Sequence, residues 1–160
     1  MFAESRRRVT FRQAADLQKQ LIPEIVSVGV FVNESIENVL KVDFVDMFQL
    51  HGTESDEYIC KLKSLTDKSV IKAGVSVSSA ADYLLFDGAV PGSGKVFDWG
   101  SIPKVNKPIF LAGGLNIGNV EEAIKSTAPY AVDVSSGVET DGLKDLVKIN
   151  DFIRRVRNEC

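Results

Sequence analysis

Two cysteines, one histidine, one tryptophan and five prolines are all that this 160-residue chain contains of those residue types. Cys60 and Cys160 are too few and too irregularly placed for a disulfide framework or a zinc site. An excess of one charge is lacking too. Basic residues number 19 and acidic ones 22, for a formal net charge of −3, so no broad positive field attracts nucleic acid or anionic lipid. No run approaches the roughly 18 apolar residues of a membrane span. The start, "MFAESRRRVTF", has no apolar signal-peptide core, and together these absences predict a cytoplasmic protein. There is also no Pro/Ser linker, low-complexity tract or composition step, which predicts one domain over residues 1–160.

What is present is a sequence of six short apolar runs rich in β-branched residues. They are "IVSVGVFV" (25–32), "FVDMFQL" (44–50), "SVIKAGV" (69–75), "YLLFD" (83–87), "PIFLAGG" (108–114) and "YAVDVSS" (130–136). Each is nearly continuous rather than alternating, the pattern of a strand covered on both faces. Segments of helical period precede the first run and follow the first, second, fifth and sixth. Asn33 or Glu34 to Ser35, Ser55, and Asn116 offer caps ahead of three of them. In the last, "GLKDLVKINDFIRRVRN", the spacing puts Leu143, Leu146, Val147, Asn150, Ile153 and Val156 on one stripe. Strand, helix and strand at this spacing predict right-handed βα units and a parallel sheet. One connection is short: "SVSSAAD", residues 76–82, leaves room for one or two helical turns, where a crossover takes a dozen or more residues.

Three glycine stretches bear on function. "GAVPGSGKV" (88–96) looks like a P-loop and fails as one: the first glycine is Ala89, the magnesium-binding hydroxyl is Val96, and Pro91 removes an N–H. It follows a strand ending in Asp87, and in parallel α/β proteins ligands sit beyond the carboxyl ends of the strands. A functional carboxylate and a loop-capping one are both open there. "LAGGLNIGNVEEA" and "VDVSSGVE" follow the last two strands, and glycine lets backbone N–H groups approach a ligand closely. In a (βα)8 barrel the corresponding loops bind phosphate.

The segments "VGVFVN", "QLHG" with Glu54, "VIKA", "LLFD", "PGSGK", "FDW", "LAGGLN" and "AVDVSSGVE" occur in an order and spacing that resembles the phosphoribosylanthranilate isomerases. "FDW" and "DVSSGVE" are the most specific of these. The resemblance covers essentially the whole chain and implies an α/β TIM barrel, incomplete here. Its six strands would be the barrel's third to eighth, without the first strand and helix and most of the second strand, and with the fifth helix shortened. It implies an isomerase of the aldose–ketose type in L-tryptophan biosynthesis. That enzyme carries out the Amadori rearrangement of N-(5-phosphoribosyl)anthranilate to 1-(2-carboxyphenylamino)-1-deoxyribulose 5-phosphate, with no cofactor and no metal.

By the same resemblance Asp87 is the general acid and Arg7 meets the substrate carboxylate. Gly113, Gly114, Ser135, Ser136 and Gly137 hold the phosphate, and His51 is a further candidate facing the site. The family's general base, a cysteine in a Lys-x-Cys-Gly motif, has no counterpart in the 160 residues. Cys60 is expected to pack as a small hydrophobe and Trp99 to pack at a helix start. The implied partner is a small phosphosugar, with self-association through open barrel edges. The alternative is an inactive remnant that at most binds a phosphosugar. A flavodoxin-like binding protein also fits the strand count, but leaves two adjacent phosphate-type loops unexplained.

Overall fold

The computed structural model describes residues 2, 5, 7–74, 77–88 and 99–159. They form two compact units, 1–84 and 85–160. All six predicted strands are present.

In unit 1–84, helix α1 (Phe11–Gln18) is followed by β1 (Val28–Phe31), α2 (Ile36–Leu40), β2 (Met47–Leu50), α3 (Asp56–Lys63) and β3 (Ser69–Ala73). The three strands are parallel, with Val28 opposite Met47 and Met47 opposite Ser69. Phe31, Phe48, Leu50, Val70 and Ile71 are fully buried, while Val39, Ile59 and Leu62 come from the covering helices. Burial on successive residues of β2 and β3 is what the continuous apolar runs foretold. The helices start at hydroxyl caps. Thr10 forms a reciprocal box with Gln13, and the Ser35 and Ser55 hydroxyls accept from the Asn38 and Tyr58 N–H groups. Cys60 departs from expectation. It is exposed, because Ile59 and Leu62 define the inward face of α3 and position 60 is rotated about 100° away from Ile59.

The short connection after β3 contains no helix among its described residues, 77–82. Two carboxylates hold it instead. Asp82 accepts from the Val70 N–H at 2.9 Å and pairs with Lys63, while its own N–H donates to the Val70 carbonyl at 3.0 Å. Asp56, at the first position of α3, accepts from the Ser78 and Ser79 hydroxyls and the Ser79 N–H. Those bonds, Ser78 first, hold the Asp56 carboxyl down at about 2 from its ordinary 3.8. A depressed folded-state value gives stability that is present above 3.8 and is lost as pH falls toward 2. Asp56→Asn is therefore expected to flatten the dependence of the denaturation midpoint on pH in that window. An unchanged slope contradicts the role given to Asp56.

In unit 85–160 the end of β4 (Tyr83–Phe86) is followed by a 3₁₀ turn at Trp99–Ser101. Then come β5 (Ile109–Leu111), α4 (Val120–Thr127), β6 (Ala131–Val132), a hairpin of β7 (Glu139–Thr140) and β8 (Leu143–Lys144), and α5 (Leu146–Asn158). The Ala112 N–H donates to the Phe86 carbonyl at 2.8 Å, and β5 pairs with β6 in parallel through Phe110–Ala131 and Leu111–Val132. The core is Leu111, Leu115, Val120, Ala123, Val138 and Phe152, with Trp99, Ile149 and Val156 against it. Trp99 thus packs at a 3₁₀ start, and its buried Nε1 has no acceptor among the described residues.

Two local expectations need correction. The buried stripe of α5 is Ile149, Phe152 and Val156, whereas Leu143, Leu146 and Val147 are each at least 75% exposed. Leu143 is not helical at all: the Asp141–Gly142 turn, with φ of +52° and +78°, closes a hairpin, and Asp145 caps the helix after it. The cap of α4 is Asn119 rather than Asn116. Asn116 is spent on a turn of its own, accepting the Gly118 N–H at 2.8 Å. Of the glycine stretch 88–96, only Gly88 lies within the described residues.

Candidate active site

Unit 85–160 brings three strand ends together. Asp87 and Gly88 follow β4, Gly113 and Gly114 follow β5, and Ser135–Gly137 follow β6. Parallel pairing puts all three segments at the carboxyl ends of their strands, where α/β proteins bind ligands. Gly113 and Gly114 have φ of +84° and +69°, a conformation that disfavours any side chain. Gly113 also has no room for one. A Cβ there would collide with the Gly88 N and would lie 3.0 Å from Asp87 Oδ1, so the Asp87 carboxylate sits directly against the first glycine turn. At Gly137 a Cβ would run into the Leu115 carbonyl and lie 3.0 Å from the Asn116 Cα. The two glycine turns are therefore in backbone contact, with Asp87 on their shared rim.

The amides of these turns are left for an outside partner. Among the described residues, the N–H groups of Gly113, Gly114, Ser135, Ser136 and Gly137 have no acceptor. Two of the carbonyls, by contrast, are held by side chains. Asn116 Nδ2 and Asn119 Nδ2 each donate to the Gly114 carbonyl at 3.1 Å. Lys144 Nζ donates to the Ser135 carbonyl at 2.7 Å. A cluster of backbone N–H groups without acceptors among the described residues is suited to a phosphate, as at other anion-binding backbone concavities. Lys144, Asn116 and Asn119 were not singled out as site residues from the sequence. The two asparagines flanking "IG" were the one available signal for the first turn.

Other candidates lie in unit 1–84. Arg7 is exposed in a turn, its N–H donating to Ser5 Oγ at 3.2 Å. His51 directly follows β2; its N–H donates to the Phe31 carbonyl at 2.8 Å and its Nδ1 lies 2.9 Å from Gln49 Oε1. The same strand ends carry a buried ion pair missed in the sequence. Lys72 Nζ is 3.3 Å from Glu54 Oε2, with the side chains 11% and 2% exposed. Lys72 Nζ also donates to the Gly52 carbonyl at 2.7 Å, while Glu54 accepts from the Asn33 N–H at 2.7 Å and the Gly52 N–H at 3.0 Å. It ties the loop after β1 to the loop after β2. A cavity of about 680 Å³ in unit 85–160, between Trp99, Lys104, Lys107 and Tyr130, is a poorer candidate. It opens at Ile109, the starting end of β5, and has no carboxylate among its described lining.

Parallel α/β units with an acid beside two contacting glycine turns at strand carboxyl ends fit the barrel-type α/β enzymes. The family model described as N-(5'-phosphoribosyl)anthranilate (PRA) isomerase matches residues 1–155, and the chain belongs to that family. A relative from Streptococcus gordonii, N-(5'-phosphoribosyl)anthranilate isomerase, is 47% identical over 99% of this chain and 85% of its own length. The crystal structure of phosphoribosyl anthranilate isomerase from Thermus thermophilus superposes with a TM-score of 0.82 at 32% identity, over 97% of this chain and 84% of that one. A phosphoribosyl anthranilate isomerase solved with reduced 1-(o-carboxyphenylamino)-1-deoxyribulose 5-phosphate gives 0.77 at 34% identity, over 97% and 83%. The chain is thus a member of an isomerase family.

Gly137→Ala tests the contact between the turns. The added methyl meets main-chain atoms, which cannot swing aside as a side-chain tip can. The expected result is at least about tenfold weaker phosphate binding, the loss of one good hydrogen bond. Binding equal to that of the unsubstituted chain contradicts the convergence of the turns.

Proposed function

We propose that the chain rearranges N-(5-phosphoribosyl)anthranilate to 1-(2-carboxyphenylamino)-1-deoxyribulose 5-phosphate. In this reading the N–H groups of Gly113, Gly114, Ser135, Ser136 and Gly137 hold the phosphate. Asp87 gives a proton to the furanose ring oxygen, the ring opens to a Schiff base, and removal of the C2′ proton leads to the aminoketose. Arg7 meets the anthranilate carboxylate, chemistry for which a planar guanidinium is well suited, and His51 is a further candidate for a substrate contact. The six strands stand for the third to eighth of one barrel-type domain, in a cytoplasmic protein. The observation that carries the proposal is the Asp87 carboxylate lying against the Gly113 turn.

Two roles are supported by residue type and family pattern alone: the substrate contact of Arg7 and that of His51. The base that removes the C2′ proton has no assigned residue among the 160. Turnover of N-(5-phosphoribosyl)anthranilate by the purified chain is the test. Binding of a phosphate analogue without turnover favours the alternative, a chain that only holds a phosphosugar.

Self-association through open barrel edges belongs to the same proposal. Exposed apolar side chains of unit 85–160 also favour a second copy over water: Tyr130 before β6, Leu143 in the hairpin, and Leu146 and Val147 at the start of α5 are each at least 66% exposed. Sedimentation is expected to show mass rising with protein concentration. A monomer at all concentrations excludes it.

A further inference from the structure

We propose that Lys144 is a positioning residue of the phosphate cradle, acting by fixing the orientation of the peptide between Ser135 and Ser136. The inference rests on the phosphate-binding reading of the two glycine turns. In a trans peptide the carbonyl and the following N–H point in opposite directions, and no described peptide bond is cis. A donor that holds the Ser135 carbonyl on one side therefore aims the Ser136 N–H to the other. Lys144 Nζ is that donor, 2.7 Å from the Ser135 carbonyl and 3.4 Å from its hydroxyl. The only other described donor to this carbonyl is the Val138 N–H, at a marginal 3.5 Å.

Ser135 needs holding. Its φ of −121° and ψ of −83° lie outside the helical and extended regions, so local preference does not maintain it. The hairpin that follows supplies the arm. The tight Asp141–Gly142 turn sets Lys144 opposite Glu139, and Nζ pairs with Glu139 Oε1 at 3.0 Å. The base of the arm is fixed by the Asp145 N–H on the Val138 carbonyl at 3.0 Å and by Lys148 Nζ on the Glu139 carbonyl at 2.8 Å. Glu139 offsets much of the ammonium charge, so orientation of the amide is the larger part of the effect. In the first turn Asn116 and Asn119 hold the Gly114 carbonyl, which by the same rule orients the Leu115 N–H rather than a cradle amide.

Amide NMR of the full chain titrated with inorganic phosphate tests this. In the unsubstituted chain Gly113, Gly114, Ser135, Ser136 and Gly137 shift together. Lys144→Met is expected to weaken phosphate binding by about tenfold and to abolish the Ser136 shift while the Gly113 shift persists. Lys144→Arg restores most of the affinity, and Lys144→Gln, a donor without charge, falls between Arg and Met. The KM for N-(5-phosphoribosyl)anthranilate rises in the same order, with kcat changed by less than about threefold. A methionine or glutamine variant that binds phosphate as the unsubstituted chain does, with the Ser136 shift intact, overturns the role of Lys144; the glutamine variant decides alone if the methionine variant does not fold. Absence of any amide shift in the unsubstituted chain removes the phosphate reading itself, and the inference with it.

Discussion

Asp87→Asn is expected to lower turnover of N-(5-phosphoribosyl)anthranilate, relative to the unsubstituted chain, by about 10²- to 10⁴-fold, the usual contribution of a positioned general acid. Asparagine preserves shape and hydrogen-bonding capacity but has no acidic proton to deliver to a ring oxygen. Since the Asp87 carboxylate packs against Gly113 without being part of the amide cradle, phosphate affinity is expected to stay within about threefold. The effect should therefore appear in kcat rather than in binding. If instead phosphate affinity falls as steeply as turnover, Asp87 is a structural support of the turn and the proton-transfer role is wrong.

The second large effect falls on stability. Lys72→Met leaves the Glu54 carboxylate, only 2% exposed, without its cation. Removing one partner of a buried pair costs about 3–5 kcal/mol, because the remaining charge is neither solvated nor neutralised. Two backbone N–H groups, of Asn33 and Gly52, still reach Glu54, so the lower end of that range is the better expectation. The denaturant midpoint should fall at constant slope. Adding Glu54→Gln should recover only part of the loss: the amide needs no counter-charge, but it has one oxygen for the two N–H donors of Asn33 and Gly52. A Lys72→Met midpoint within about 0.5 kcal/mol of the unsubstituted chain would show the pair to be effectively hydrated.

Three strands were legible because burial on both faces writes itself as unbroken apolar runs, and "MFQL", "VIKA" and "YLLF" needed no tertiary information; β1, "VGVF", departs from that reading, its burial alternating and Val28 exposed. The cap at Ser55 was legible for a similar reason, and the one at Ser35 to within two residues, as both work through bonds three residues away. What failed was whatever depends on a partner elsewhere in the chain. The apolar count of "LKDLVKINDFIRRV" favoured Leu146, Val147 and Ile153, and only the position of the Leu111–Phe152 core decides that Phe152 faces inward. Cys60 was placed by composition, when the inward face of α3 is set by Ile59 and Leu62.

The site divides in the same way. Asp87 and the two glycine turns were readable as strand ends followed by residues suited to close approach. Lys144 and the Lys72–Glu54 pair were not, since each acts on a backbone group or carboxylate brought near by folding. Lys144 reaches Ser135 across a hairpin whose only sequence signal is "TDGL".

The most direct measurement is a crystal structure of the chain with the reduced product analogue, 1-(o-carboxyphenylamino)-1-deoxyribulose 5-phosphate. The expected outcome is a phosphate accepting N–H bonds from both the Gly113–Gly114 and the Ser135–Gly137 turns, with the Asp87 carboxylate within reach of the sugar. A phosphate bound elsewhere, or one that meets a single turn with the sugar pointing away from Asp87, contradicts the account.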